Sequence, residues 1–154
     1  MIKRRTGRTL GLAAAVTVAL VACGGNAFGP TPRDAEFAAS LGIDLDDMIE
    51  TASGLFYVDD VVGTGAAAGA GDVATVTYTG WLPDGAEFDS QTGFIFQIGE
   101  PGIIDGFSEG VTGMQIGGVR TIVVPPSLGY GSEGRLDVPG DAVMVFELTL
   151  TALN

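Results

Sequence analysis

The residues of this chain that could carry chemistry are few, and the gaps among them are informative. Its 154 residues include one Cys and no His. Without histidine there is no Ser-His or Cys-His nucleophile pair, no imidazole general base and no His-ligated zinc. One Cys cannot close an internal disulfide or build a thiolate metal cage. Lys and Arg number 7 against 19 Asp and Glu, a formal charge of −12. That balance would repel a phosphate backbone, so nucleic acid is not expected as a partner. What remains is the lone Cys23, together with carboxylates, tyrosine hydroxyls and aromatic rings.

Cys23 acquires a role from what precedes it. Lys3, Arg4, Arg5 and Arg8 stand before residues 10–22, an uncharged and largely apolar run. A basic head followed by a run this short reads as a secretory signal, because a membrane span needs about 20 apolar residues. The run ends in Leu20-Val21-Ala22-Cys23-Gly24, the pattern of a lipobox, at which the chain is cut before the Cys and the new N-terminal Cys takes acyl chains. A plain signal peptide that ends by chance in a Cys, or a buried core thiol, are the alternatives. The Arg4-Arg5 pair fits twin-Arg export poorly. Stable anchoring needs two or more acyl chains, which lipoprotein processing supplies. Removal of residues 1–22 leaves 3 basic residues against 19 acidic ones, a charge of −16. Gly24 in place of Asp after the Cys favours an outer-membrane address facing the periplasm, or the cell surface.

The elements that must position any site follow. Residues 23–33 are small and polar with Pro30 and Pro32, and read as a flexible, lipid-anchored tether. In residues 34–53 Phe37, Leu41, Leu45 and Met48 recur at helical spacing behind Asp34 as an N-cap, predicting a short amphipathic helix. Gly42 weakens that pattern, and a disordered acidic segment is the alternative. From residue 54 onward, short β-branched runs separated by Gly, Pro and Asp predict antiparallel strands at 55–61, 73–79, 94–98, 121–124 and 142–151. Thr75, Thr77 and Thr79 alternate with Val76 and Tyr78, giving one polar and one apolar face. Ile103, Ile104, Phe107 and Val111 form the stripe of one short helix lying on the sheet. The fold class is α+β.

One ordered series of motifs runs through residues 54–154: Tyr78-Thr79-Gly80, Asp84-Gly85, Phe88-Asp89-Ser90, Ile103-Ile104-Asp105-Gly106-Phe107, Glu109-Gly110, Gly117, Tyr130-Gly131 and Val145-Phe146-Glu147-Leu148. It resembles the FKBP-type peptidyl-prolyl cis-trans isomerases, here in a bacterial lipoprotein form. The resemblance implies a curved antiparallel β-sheet wrapped around one short α-helix, in agreement with the element order above. It also implies an enzyme that rotates X-Pro amides against a barrier of about 18–20 kcal/mol, a step slow enough to limit folding. That reaction needs no proton transfer, cofactor or metal, so a chain without histidine is no obstacle.

By the same resemblance the substrate cup is walled by Tyr78, Phe88, Phe94, Ile103, Phe107 and Phe146, with Val138 at its rim. Tyr130 offers its hydroxyl and Ile104 its backbone N–H to substrate carbonyls, and Asp89 is the pocket carboxylate. Taken singly, Tyr78 could be an ordinary strand tyrosine and Asp89 a turn residue capping Ser90 or Gln91. Three departures stand out. Phe107 sits where most members place Trp. Gln91-Thr92-Gly93 lacks the Arg that often pairs with the aspartate, so other donors must hold Asp89. The loop 132–139, with Arg135 near its tip, is shortened. The implied partners are proline-containing polypeptides and macrolide ligands, with the membrane reached through lipid on Cys23; a monomer is expected. Its acidic surface reads as a solvated face, and it would also favour basic substrate segments. A non-catalytic proline-binding chaperone is the rival reading.

Overall fold

The computed structural model describes residues 30–154. The signal sequence, Cys23 and most of the tether lie outside the described residues. Six strands form a single antiparallel sheet: β1 (Ile49–Glu50), β2 (Phe56–Val61), β3 (Val73–Trp81), β4 (Glu87–Gln97), β5 (Val119–Val124) and β6 (Met144–Leu153), in spatial order β1-β2-β5-β6-β3-β4. The strand period of two sorts the residues onto two faces. Ala74, Val76, Tyr78, Ile122, Val124, Phe146, Leu148 and Leu150 bury one face against the helix α1 (Asp105–Val111), while Phe56, Val123 and Val145 bury part of the other.

Helix α1 is seven residues long, too short to hold itself together in water, and the sheet fixes it at both ends. A Cβ at Gly106 would come within 2.5 Å of Val124 Cγ1, and one at Gly110 within 2.7 Å of Ile122 Cδ1. These two glycines, four residues apart and so on one helical face, let α1 lie directly on β5. At its C-terminal end the buried Arg120 of β5 donates from Nη1 to the carbonyls of Gly110 (3.0 Å) and Thr112 (3.2 Å), acceptors that a helix end otherwise leaves unpaired. Nε and Nη2 of the same guanidinium donate to the Asp59 carboxylate at 2.6 and 3.0 Å, and the group lies over the Tyr57 ring at 4.4 Å.

Residues 34–53 depart from the predicted helix. The segment holds isolated 3-10 turns at Pro32–Asp34 and Ala39–Leu41 and ends in β1. Gly42, left-handed at φ 63°, stops the second turn after three residues, and the Asp44 carboxylate accepts the Asp46 N–H in a local turn that competes with helix. Ala38 N–H donates to Pro83 O, tying the segment to the β3–β4 turn. The apolar spacing is real but serves another purpose: Phe37, Leu41, Leu45 and Met48 pack on the second face of the sheet, beside Trp81. The tether reading is also corrected at its end. Pro32 is fully buried, and Arg33 pairs with Glu50 at 3.1 Å while lying over Phe56 at 5.0 Å, so docking begins by Thr31–Pro32.

Candidate functional site

On the helix-bearing face the aromatic side chains do not close up. Tyr78, Phe88, Asp89, Phe94, Ile103, Ile104, Phe107, Tyr130, Val138 and Phe146 all line one cavity of about 350 Å³. Every residue expected at the site is therefore brought together except Cys23, which is outside the described residues. Gly102, Arg135, Leu136 and Asp137 complete the lining and were not among the expected site residues. The loop tip 135–137 carries little pattern of its own; its one sequence signal is an apolar Leu136 flanked by Arg135 and Asp137.

The floor is a mutually supporting set of rings. Phe107, buried at 4% exposure, meets Tyr78 at 5.2 Å, Phe96 at 5.3 Å and Phe146 at 5.6 Å between centroids, each steeply inclined. Such edge-to-face arrangements suit the ring quadrupoles. Phe88 stands edge-on to Phe146 at 5.5 Å. Gly80 makes this possible, since a Cβ there would lie 2.8 Å from both rings.

Strand β4 brings Phe88 and Asp89 to the cavity through two irregularities. Its pairing with β3 shifts once between Val76↔Phe94 and Tyr78↔Gln91, and again between Gly80↔Asp89 and Trp81↔Glu87. In each shift β4 spends an extra residue. The first, at Thr92-Gly93, places Asp89 and Phe94 on one face although they are five apart; the second lets the consecutive Phe88 and Asp89 both reach the cavity. Bulges re-aim side chains in this way, and they hide the strand from any search for period two: residues 87–93 were not expected to be strand.

The Asp89 carboxylate accepts a hydrogen bond from the Tyr78 hydroxyl at 2.7 Å, which supplies a donor in place of the missing arginine. Burial, and then this bond to a carboxylate, push the Tyr78 hydroxyl well above the usual tyrosine range, so it stays a donor. Two other donors are uncommitted. Among the described residues neither the Ile104 N–H, at the entrance to α1, nor the Tyr130 hydroxyl has a hydrogen-bond partner. Tyr130 follows the 3-10 turn Pro126–Leu128, with the Arg135 guanidinium 5.8 Å from its ring centroid.

An antiparallel sheet clasping one short helix, with an aromatic cup between them, defines one class of α+β domain. Residues 65–151 match the family model described as FKBP-type peptidyl-prolyl cis-trans isomerase, and the chain belongs to that family. It is 39% identical over 110 residues to the FKBP-type peptidyl-prolyl cis-trans isomerase FkpA of Aeromonas hydrophila, covering 68% of this chain and 40% of that one. With FK506-binding protein 3 of Candida albicans it shares 37% identity over 104 residues, 66% of this chain and 24% of the other. The chain thus spans only about a quarter to two-fifths of the length of these relatives. Among solved structures, AtFKBP13 superposes with a TM-score of 0.66 at 30% identity, covering 70% of this chain and 99% of that one. The expected fold class is borne out.

Proposed function

We propose that this chain is a peptidyl-prolyl cis-trans isomerase that acts outside the cytoplasm on exported polypeptides, held at a membrane by lipid on Cys23. The observation that carries the catalytic part is the cavity itself, an aromatic cup with two uncommitted donors and one held carboxylate on its wall. A planar amide is stabilised by charge separation between its nitrogen and oxygen, and water favours that form. Within an apolar cup this support is withdrawn, which lowers the relative cost of the twisted amide. Catalysis then consists of binding the twisted state better than the planar one.

In this reading the proline ring sits on Phe107 between Tyr78, Phe94 and Phe146. The Tyr130 hydroxyl and Ile104 N–H hold substrate carbonyls, and Asp89, fixed by Tyr78, faces the rotating group. Macrolides of the kind named for the FK506-binding relatives would enter the same cup. The export reading rests on the sequence of residues 1–24.

The full chain should accelerate the cis-to-trans phase of a Leu-Pro or Phe-Pro peptide; no acceleration overturns the reading. Asp89→Val and Phe88→Ala should each lower kcat/KM more than Tyr130→Phe does. Wild-type activity in all three variants would sink the site assignment. Mass spectrometry of the protein from its native membrane should find acyl chains on an N-terminal Cys23, and an unmodified Cys23 would remove the anchor.

A further inference from the structure

The rim of the cup carries a charge that the isomerase reading leaves unused. Three side chains among the described residues are cationic, and the fold engages two of them: Arg33 pairs with Asp46 and Glu50, and Arg120 pairs with Asp59. Arg135 is different. Its guanidinium makes no ion pair or hydrogen bond among the described residues, although Glu133 and Asp137 stand two residues away on either side in an acid-rich chain. It lines the cavity and approaches the ring of Tyr130, the residue whose hydroxyl is free.

The mount is rigid. Arg135 and Val138 exchange both backbone hydrogen bonds at 2.8 Å, closing a turn in which Leu136 takes a left-handed φ of 49° and is 95% exposed. Gly134, at φ 67°, has no room for a Cβ, which would lie 2.6 Å from Gly140 N. An arginine whose backbone is already fixed loses less freedom when it engages a ligand, and its forked donors match a carboxylate.

We infer that Arg135 is a specificity residue that reads a carboxylate side chain next to the proline of the bound polypeptide. The inference rests on the isomerase reading of the same cup and names its substrate class: chains with Asp or Glu flanking the proline. Two features oppose it. Asp89, which accepts from Tyr78, and Asp137, two residues beyond Arg135, line the same cavity, so an incoming carboxylate is favoured only where it lies closer to Arg135 than to either. The remaining negative charge of the domain favours basic chains at long range, but beyond about 8 Å it is screened at physiological salt.

The test compares Ala-Xaa-Pro-Phe and Ala-Leu-Pro-Xaa peptides, with Xaa as Glu, Gln or Lys, using the full chain and its R135Q and R135E variants. Wild-type kcat/KM should favour Glu over Gln by about two- to fivefold in one of the two series, the strength of an exposed ion pair. The ratio should fall to unity in R135Q, invert toward Lys in R135E, and shrink at about 1 M salt. A Glu to Gln ratio of unity in the wild type, or one that R135Q leaves unchanged, overturns the assignment. No acceleration of any peptide overturns the isomerase reading, and this inference with it.

Discussion

The two faces of the sheet are built from the same alternating strands and finish in opposite ways. On the helix side, α1 covers the lower part of the face and the aromatic rings stop short of closing, leaving a cavity of about 350 Å³. On the other side Phe56, Val123, Val143 and Val145 are sealed beneath residues 35–48. Protein interiors ordinarily fill to crystal density, so the open face requires a reason and the sealed one does not. The difference teaches that the N-terminal segment is a cover for the face without a site, while the cup stays open because the rings of its floor brace one another: Phe107 touches Tyr78, Phe94, Phe96 and Phe146.

That contrast can be broken by mutation. Phe107→Ala should have the largest effect, about 3–5 kcal/mol of stability together with a steep fall in kcat/KM measured per folded molecule. Phe56→Ala, at a fully buried position on the back face, should cost a similar amount of stability by denaturant unfolding and leave kcat/KM per folded molecule unchanged. If both variants lose efficiency alike, the two faces are not independent. Phe37→Ala should cost less, about 1–2 kcal/mol, because this side chain is only partly buried in the cover.

The smallest effect concerns pH. Tyr78 stays protonated in the folded cup above its usual value of 10.0. A raised folded pKa means the neutral hydroxyl contributes stability that is fully present below pH 10, and that contribution is lost as pH rises toward the folded value. The chain should therefore lose stability above about pH 10, and Tyr78→Phe should flatten that part of the pH dependence; an identical alkaline slope in both proteins would contradict the assignment.

How far the sequence revealed this differs between the same two faces. On the helix side, period two in β3 and a short helix carrying Phe107 and Val111 were readable, although Ile103 and Ile104, expected on its stripe, stand before it, with Ile104 its extended N-cap; the ordered motif identified most of the residues that line the cup. Its blind spots were the first half of β4, where two extra residues break the alternation, and the rim at Gly102 and residues 135–137, whose positions depend on turn geometry rather than periodicity. The role of Arg120 was not legible, since nothing local shows that it crosses from a strand to close a helix. On the back face the apolar positions 37, 41, 45 and 48 were singled out and do pack, partly buried, against the sheet, but their spacing pointed to a helix. A meandering segment with the same anchors satisfies the sheet equally well, and Gly42 with the Asp44 turn decides for it.

The chain has a single indole, Trp81, and its position has a practical consequence. It packs with the cover on the sealed face, whereas the floor of the cup is the phenyl ring of Phe107. Emission excited in the indole band will therefore follow the loosening of residues 35–48 and stay nearly silent as a peptide or macrolide enters the cup. Occupancy must be read by calorimetry or by an added fluorophore, while the intrinsic signal serves as a separate gauge of the N-terminal cover.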